Sequence, residues 1–187
     1  MKTKVIIIHG NHGGTGNDQW IPWLSAELEQ RGFEVLHPTM PDNREAKSSI
    51  WLPYLQDELK ADENTILVGW SSGAVAAMRY AEMHKLLGSV LIGACYTDLG
   101  DGLEKISGYY DAPWQWDVIR GNQHWIAQFA SADDPVIPIE EGRFVHEKLH
   151  TEYHEYADKK HFGWPDPMPT FPELLEVIIQ HTQSASS

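Results

Sequence analysis

Short apolar runs alternate with amphipathic stretches along the whole chain, and this alternation limits the possible folds more than any other feature of the sequence. Strand candidates fall at 5–8, 33–37, 65–68, 89–92, 126–130 and 151–156. Helical periodicity marks 20–30, 49–60, 73–84, 139–149 and 171–181. Pro53 falls early in the second helical stretch and is expected to delay its start or kink it. The strand runs are rich in Ile, Val and Leu with little polar alternation, the pattern of a sheet covered on both faces. Such alternation predicts an α/β architecture: a mostly parallel central sheet of about six strands, right-handed crossovers, and helices on both sides. Ligands bind such sheets outside the carboxyl ends of the strands, so the residues just after each strand carry the functional reading.

At 187 residues the chain is expected to form one domain, 1–187, with residues 182–187 as a frayed tail. Its 42% hydrophobic and 22% charged residues are those of an ordinary globular protein. The net charge of -13 argues against nucleic acid or an anionic membrane as partner, since both require a positive field. A single cysteine, Cys95, excludes an internal disulfide and reads as a small buried strand residue. The opening "MKTKVIIIHG" lacks a signal-peptide core, and no run approaches the ~18 apolar residues of a membrane span. A cytoplasmic location is expected. Residues 96–117, aromatic and glycine-rich, are too long for an ordinary connection and read as a lid, a pocket wall or an ordered excursion.

After the third strand the chain reads Gly69-Trp70-Ser71-Ser72-Gly73 and then turns helical. G-x-S-x-G sets its middle serine on a tight strand-to-helix turn, with the hydroxyl standing above the sheet. Only one frame fits, because centring on Ser72 would need glycines where Trp70 and Ala74 stand. Ser71 is the candidate nucleophile. The Ser72 N–H, at the start of the helix, is placed to stabilise an oxyanion.

A serine hydroxyl needs a base to take its proton and a third group to orient that base, in the chain order Ser, acid, His. Asp133 and Asp134 follow the fifth strand in "SADDPVIP", and His161 follows the sixth in "ADKKHFG". After the first strand, His9-Gly10-Asn11 stands where a second oxyanion donor is expected. The N–H of Asn11 is the first choice and that of His12 the next. Phosphate-binding readings of "HGNHGGTGN" fail: a P-loop needs a lysine where Asn17 follows Gly16, and a dinucleotide loop needs a third glycine where Gln19 stands.

Taken together, "HGNHGG", "MPD" at 40–42, "SIWLPYLQDEL", "GWSSGAVAAMRYAE", "YTDLGD", "SGYYDAPWQWDVI", "SADDPVIP" and "HF" carry a resemblance over nearly the whole chain. The sequence resembles the small serine hydrolases related to retinoblastoma-binding protein nine, a compact branch of the α/β-hydrolases. The resemblance implies a minimal α/β-hydrolase fold without a large cap domain, and a triad on Ser71, Asp134 and His161. It favours Asp134 over Asp133 because the "DPVIP" run begins there. It implies hydrolysis of small esters or amides through an acyl-enzyme, with no cofactor or metal. Two positions depart from the family pattern: Trp70 stands where histidine is expected, and Lys160 where glycine usually precedes the histidine. The family's L-x-C-x-E contact for retinoblastoma-type partners reads Leu59-Lys60-Ala61-Asp62-Glu63, so the cysteine is lost to Ala61 and that binding is not expected. His12, Trp70, Tyr96 and Trp114 are candidate substrate contacts.

Two rival readings stand beside this one. "HEKLH" matches the zinc pattern H-E-x-x-H through His146, Glu147 and His150, but the helix stops at once and Tyr153 occupies the glycine position of the longer zinc motif. A non-catalytic binding module on the same scaffold is the other, since a fold by itself does not prove chemistry.

Overall fold

The computed structural model describes residues 2–184. In chain order the elements are β1 (Lys4–Ile8), α1 (Ile21–Gln30), β2 (Glu34–Leu36), α2 (Ser48–Pro53) with a π-turn (Tyr54–Glu58), β3 (Thr65–Trp70) and α3 (Ser72–Ala81). There follow β4 (Leu86–Ile92), α4 (Gly102–Ser107), α5 (Trp116–Gly121), β5 (Gln123–Ser131), α6 (Ile139–Leu149), β6 (Glu152–Tyr156) and α7 (Pro172–Ser184). The six strands form one sheet in the order β2-β1-β3-β4-β5-β6, and every pairing is parallel.

Alternate side chains of each central strand enter different apolar layers. Ile6, Ile8 and Leu67 pack with Ala77 of α3, Trp51 of α2 and Val145 of α6. Val5, Ile7 and Val68 pack with Leu24 of α1 and Leu174 of α7. Both faces are therefore dry, which is why these strands read as unbroken apolar runs. Each such fully buried Ile or Leu stabilises the fold by about 1.5–3 kcal/mol. The sheet edges differ. β6 is partly exposed along its length, with Glu152 and Glu155 outward, as suits an edge strand protected by charge.

Of the two effects expected of Pro53, the delay does not occur: α2 starts at Ser48, and beyond the proline the helix continues as a π-turn. Proline lacks the N–H that the α-helical ladder would use, and the next turn widens so that the Leu59 N–H reaches Tyr54 O. The segment 96–117, expected to be more than an ordinary connection, holds α4 and the start of α5. Of the expected frayed tail, 182–184 belong to α7, and 185–187 lie outside the described residues.

The order of the strands decides where a site can form. From β1 the chain moves outward to β2, then returns to lay β3 on the other side of β1. The crossovers leave β1 and β3 in opposite directions, which opens a crevice at their carboxyl ends. Ile8 pairs with Gly69 in register, so the segments after β1 and β3 emerge side by side. No helix among the described residues is long and apolar enough to cross a membrane.

Candidate active site

Ser71 occupies the turn between β3 and α3 with φ 57° and ψ -120°, a conformation that L-residues rarely adopt and that costs about 1–3 kcal/mol. The surroundings hold it there. Its N–H donates to Ile92 O (2.8 Å), and its carbonyl accepts from the N–H groups of Ala74 (2.9 Å) and Val75 (3.2 Å). The motif glycines are required by close approach: a Cβ on Gly69 would strike the carbonyl of Gly73, and one on Gly73 would strike the carbonyl of Ile8. Ser71 stands at the N-cap of α3, yet its side chain makes no capping bond, so the hydroxyl is uncommitted to the helix. Ser72 is different. Its hydroxyl donates to Glu104 Oε1 (3.1 Å), and the residue is buried.

A pocket of about 560 Å³ opens over this turn, a size suited to a small molecule. Its walls are the glycine-rich loop 10–14, Asp18, Trp70, Ser71, Val136, His161 and Trp164. Val136 and Trp164 are exposed at 41% and 54%, giving apolar surface open to solvent. A separate depression of about 430 Å³ runs from Asp158–Lys160 to Glu173 and contains neither Ser71 nor His161.

The two neighbouring aspartates make different contacts. Asp134 places Oδ2 2.7 Å from Nδ1 of His161, while its Oδ1 accepts the N–H groups of Val136 (2.8 Å) and Ile137 (2.9 Å). Both side chains of this pair are nearly buried. Asp133 instead accepts from Ser131 Oγ (2.7 Å) and the Lys160 N–H (2.9 Å), and pairs with Lys160 Nζ (2.9 Å). The Lys160 ammonium, then the Ser131 hydroxyl, hold its carboxyl down at about 2. Lys160 takes the left-handed conformation, φ 49°, for which glycine would be the easier residue. Its bonds to Asp133 offset that strain.

Two indoles fix the loop that carries His161. Trp70 Nε1 donates to the carbonyl of His161 (2.9 Å), and Trp20 Nε1 donates to that of Phe162 (3.0 Å). Trp70, unexpected at its position, thus supports the histidine from below as well as lining the pocket.

On the other side of Ser71, His9 is fully buried. Its Nε2 accepts the Met40 N–H (2.8 Å), so Nδ1 carries the proton and donates to Gly10 O (2.6 Å). Burial pushes its pKa down, against the smaller raising effects of the Gly10 bond and Asp18. The His12 N–H, the second choice for an oxyanion donor, is taken by Arg44 O (3.1 Å).

Other expected contacts do not reach the pocket. Tyr96 stacks on Phe144 with ring centroids 4.0 Å apart, and Trp114 lies between Trp116 and the Arg79 guanidinium. Neither lines the pocket, because Arg79 and α6 draw the aromatics of this segment onto the body. Cys95 lies past the end of β4 and not within it; burial pushes its thiol up. The H-E-x-x-H histidines do not line the pocket that holds Ser71. His146 bonds to Thr151 Oγ1 (3.0 Å), and His150 leaves α6 at a left-handed cap. Among the described residues no group of three or more His, Cys, Asp or Glu is arranged to hold a metal ion. Glu104 escaped the sequence reading, although Asp101-Gly102-Leu103-Glu104 is a recognisable helix-start pattern.

An all-parallel sheet with helices on both faces and a serine on a strained strand-to-helix turn defines an α/β-hydrolase, and the model of the alpha/beta hydrolase family matches residues 5–183. The serine hydrolase RBBP9 of Rattus norvegicus is 43% identical over 178 residues, covering 94% of each chain. The protein belongs to this family of small serine hydrolases. The crystal structure of the ydeN gene product from B. subtilis superposes with a TM-score of 0.86 at 23% identity, covering 98% of this chain and 100% of that one. The esterase RhEst1 from Rhodococcus sp. ECU1013 gives a TM-score of 0.66 at 14% identity, over 98% and 91% of the two chains. These two structures share the fold.

Proposed function

We propose that the protein hydrolyses small esters or amides through a triad of Ser71, His161 and Asp134, with the N–H groups of Asn11 and Ser72 as the oxyanion hole. The observation that carries the reading is Ser71 on its strained turn, with its hydroxyl free of capping, in one pocket with a histidine that Asp134 orients. In acylation Ser71 Oγ attacks the substrate carbonyl while His161 Nε2 takes its proton. The Asp134 carboxylate accepts the Nδ1–H, holds the tautomer that presents Nε2, and stabilises the imidazolium. The negative oxygen of the tetrahedral intermediate sits against the two backbone amides. Collapse returns the proton to the leaving alcohol or amine, and water repeats the sequence on the acyl-enzyme.

The partner in this reading is a small acyl substrate, with no cofactor, nucleic acid or membrane involved. Retinoblastoma-type binding stays outside it, because Ala61 replaces the motif cysteine and its carbonyl accepts the Tyr80 hydroxyl (2.8 Å). A fluorophosphonate probe should label Ser71, and Ser71→Ala should lower kcat on nitrophenyl esters by a factor on the order of 10⁶. Peptide mapping that put the adduct on Ser72 would move the nucleophile. A panel of esters and aminoacyl amides of graded size then defines the acyl preference.

A further inference from the structure

Glu104 connects three segments that lie far apart in the sequence. Its Oε1 accepts from Asn11 Nδ2 (2.7 Å) and from Ser72 Oγ (3.1 Å), and its Oε2 accepts from Tyr110 Oη (2.9 Å). Asn11 and Ser72 are the residues whose backbone amides flank the oxyanion in the reading above, on which this inference rests. One carboxylate thus ties the side chains of both donor residues, one after β1 and the other at the start of α3.

The carboxylate is not spent on its own helix. Asp101 caps α4, accepting the N–H groups of Leu103 (2.8 Å) and Glu104 (3.1 Å). A glutamate at this third position commonly reaches back to the cap residue's N–H. Here that N–H donates to Asp98 O (2.9 Å), and Glu104 turns toward Asn11 and Ser72. Nor does Glu104 line the substrate pocket, so it lies behind the donors rather than beside the substrate. Backbone bonds hold the loop around Asn11: its carbonyl accepts the Gly14 N–H (3.1 Å), and the N–H groups of His12 and Gly13 donate to Arg44 O and Asn43 O (both 3.1 Å). The bond from Asn11 Nδ2 to Glu104 adds a tie that runs from this loop to α4 through the Asn11 side chain.

We infer that Glu104 is the positioning residue of the oxyanion hole, setting the separation and direction of the Asn11 and Ser72 amides through their side chains. Its negative charge opposes the developing oxyanion, so geometry and not charge is its contribution. That gives the inference a distinctive signature, because glutamine keeps an acceptor for both donors and removes the charge.

The experiment compares Glu104→Ala, Glu104→Gln and Ser71→Ala on a nitrophenyl ester, with circular dichroism to verify folding. Glu104→Ala should lower kcat about 10- to 100-fold, short of the loss of a whole oxyanion donor, with KM changed less than about threefold. Glu104→Gln should recover most of that loss. Affinity for a boronic acid, which mimics the tetrahedral state, should fall with kcat in Glu104→Ala, while binding of the product carboxylate holds. A folded Glu104→Ala variant with kcat within twofold of the parent, or a glutamine variant as slow as the alanine one, overturns the inference. Should Glu104→Ala not fold, Asn11→Ala removes the tether while keeping the backbone N–H, and must lower kcat with little effect on KM; unchanged kcat overturns the inference. Ser71→Ala separates the two readings. An active Ser71→Ala enzyme refutes the triad itself, whereas an inactive one beside a fully active Glu104→Ala refutes only the role of Glu104.

Discussion

Asp133 and Asp134 share a loop and a chemical group, and their donors decide what each one does. Asp134 faces a ring N–H and two backbone amides in a nearly closed setting, so its charge is aimed at His161. Asp133 faces Lys160 and holds the backbone that precedes the histidine. Asp134→Asn is expected to lower kcat about 10³–10⁴-fold with the fold intact, since an amide favours the wrong imidazole tautomer. Asp133→Asn should cost far less. Steady-state kinetics on both decide it, and a larger loss for Asp133→Asn would reassign the acid. His9 offers a second test. Burial disfavours its charged form, so by NMR its ring should titrate below the ordinary value of about 6.5. The sign for stability follows. As pH falls through that ordinary value the unfolded chain takes up a proton that folded His9 refuses, and this residue's contribution declines. A His9 titration at or above about 6.5 would mean that burial does not disfavour the charged ring.

At the scale of elements, α3 does more than follow the Ser71 turn. Arg79, on its last turn and 7% exposed, fastens the segment that follows α4. Its Nε donates to Tyr109 O (2.7 Å) and its Nη2 to Ala112 O (2.7 Å). Nη1 reaches both oxygens of Glu82, and the guanidinium lies 3.6 Å from the centre of the Trp114 ring. Glu141 of α6 anchors the start of the excursion by accepting from the N–H groups of Tyr96 and Thr97. The excursion is therefore an ordered segment packed on the body, and its order supports α4 and Glu104. Lysine cannot reproduce the fork. Arg79→Lys is expected to destabilise the fold by about 2–4 kcal/mol, read from the urea midpoint, and to speed proteolysis within 108–115. A change below about 0.5 kcal/mol would show that the fork is dispensable.

The whole molecule carries a net charge of -13, and its self-repulsion favours expansion of the folded chain. Salt at about 0.3 M shortens the screening length to below 10 Å, so Tm should rise as salt is added from low ionic strength. A Tm that falls over the same range would show that attractive pairs such as Arg143–Glu155 outweigh the repulsion. At this scale the alternation of apolar runs and amphipathic stretches determined the layered architecture, since the period of a segment and the dryness of both its faces are written locally. The strand at 151–156 carries the weakest local signal, because an edge strand buries little and its composition is polar. The spacing Gly69-Trp70-Ser71-Ser72-Gly73 likewise settled the candidate serine, because the glycines answer to steric limits within a few residues. The sequence alone did not choose between Asp133 and Asp134; only the resemblance favoured one of them. Nor did it bring Glu104 to Asn11 and Ser72, or turn Tyr96 and Trp114 away from the pocket. Those depend on contacts between segments tens of residues apart, where direction in space, and not residue type, determines which donor meets which acceptor.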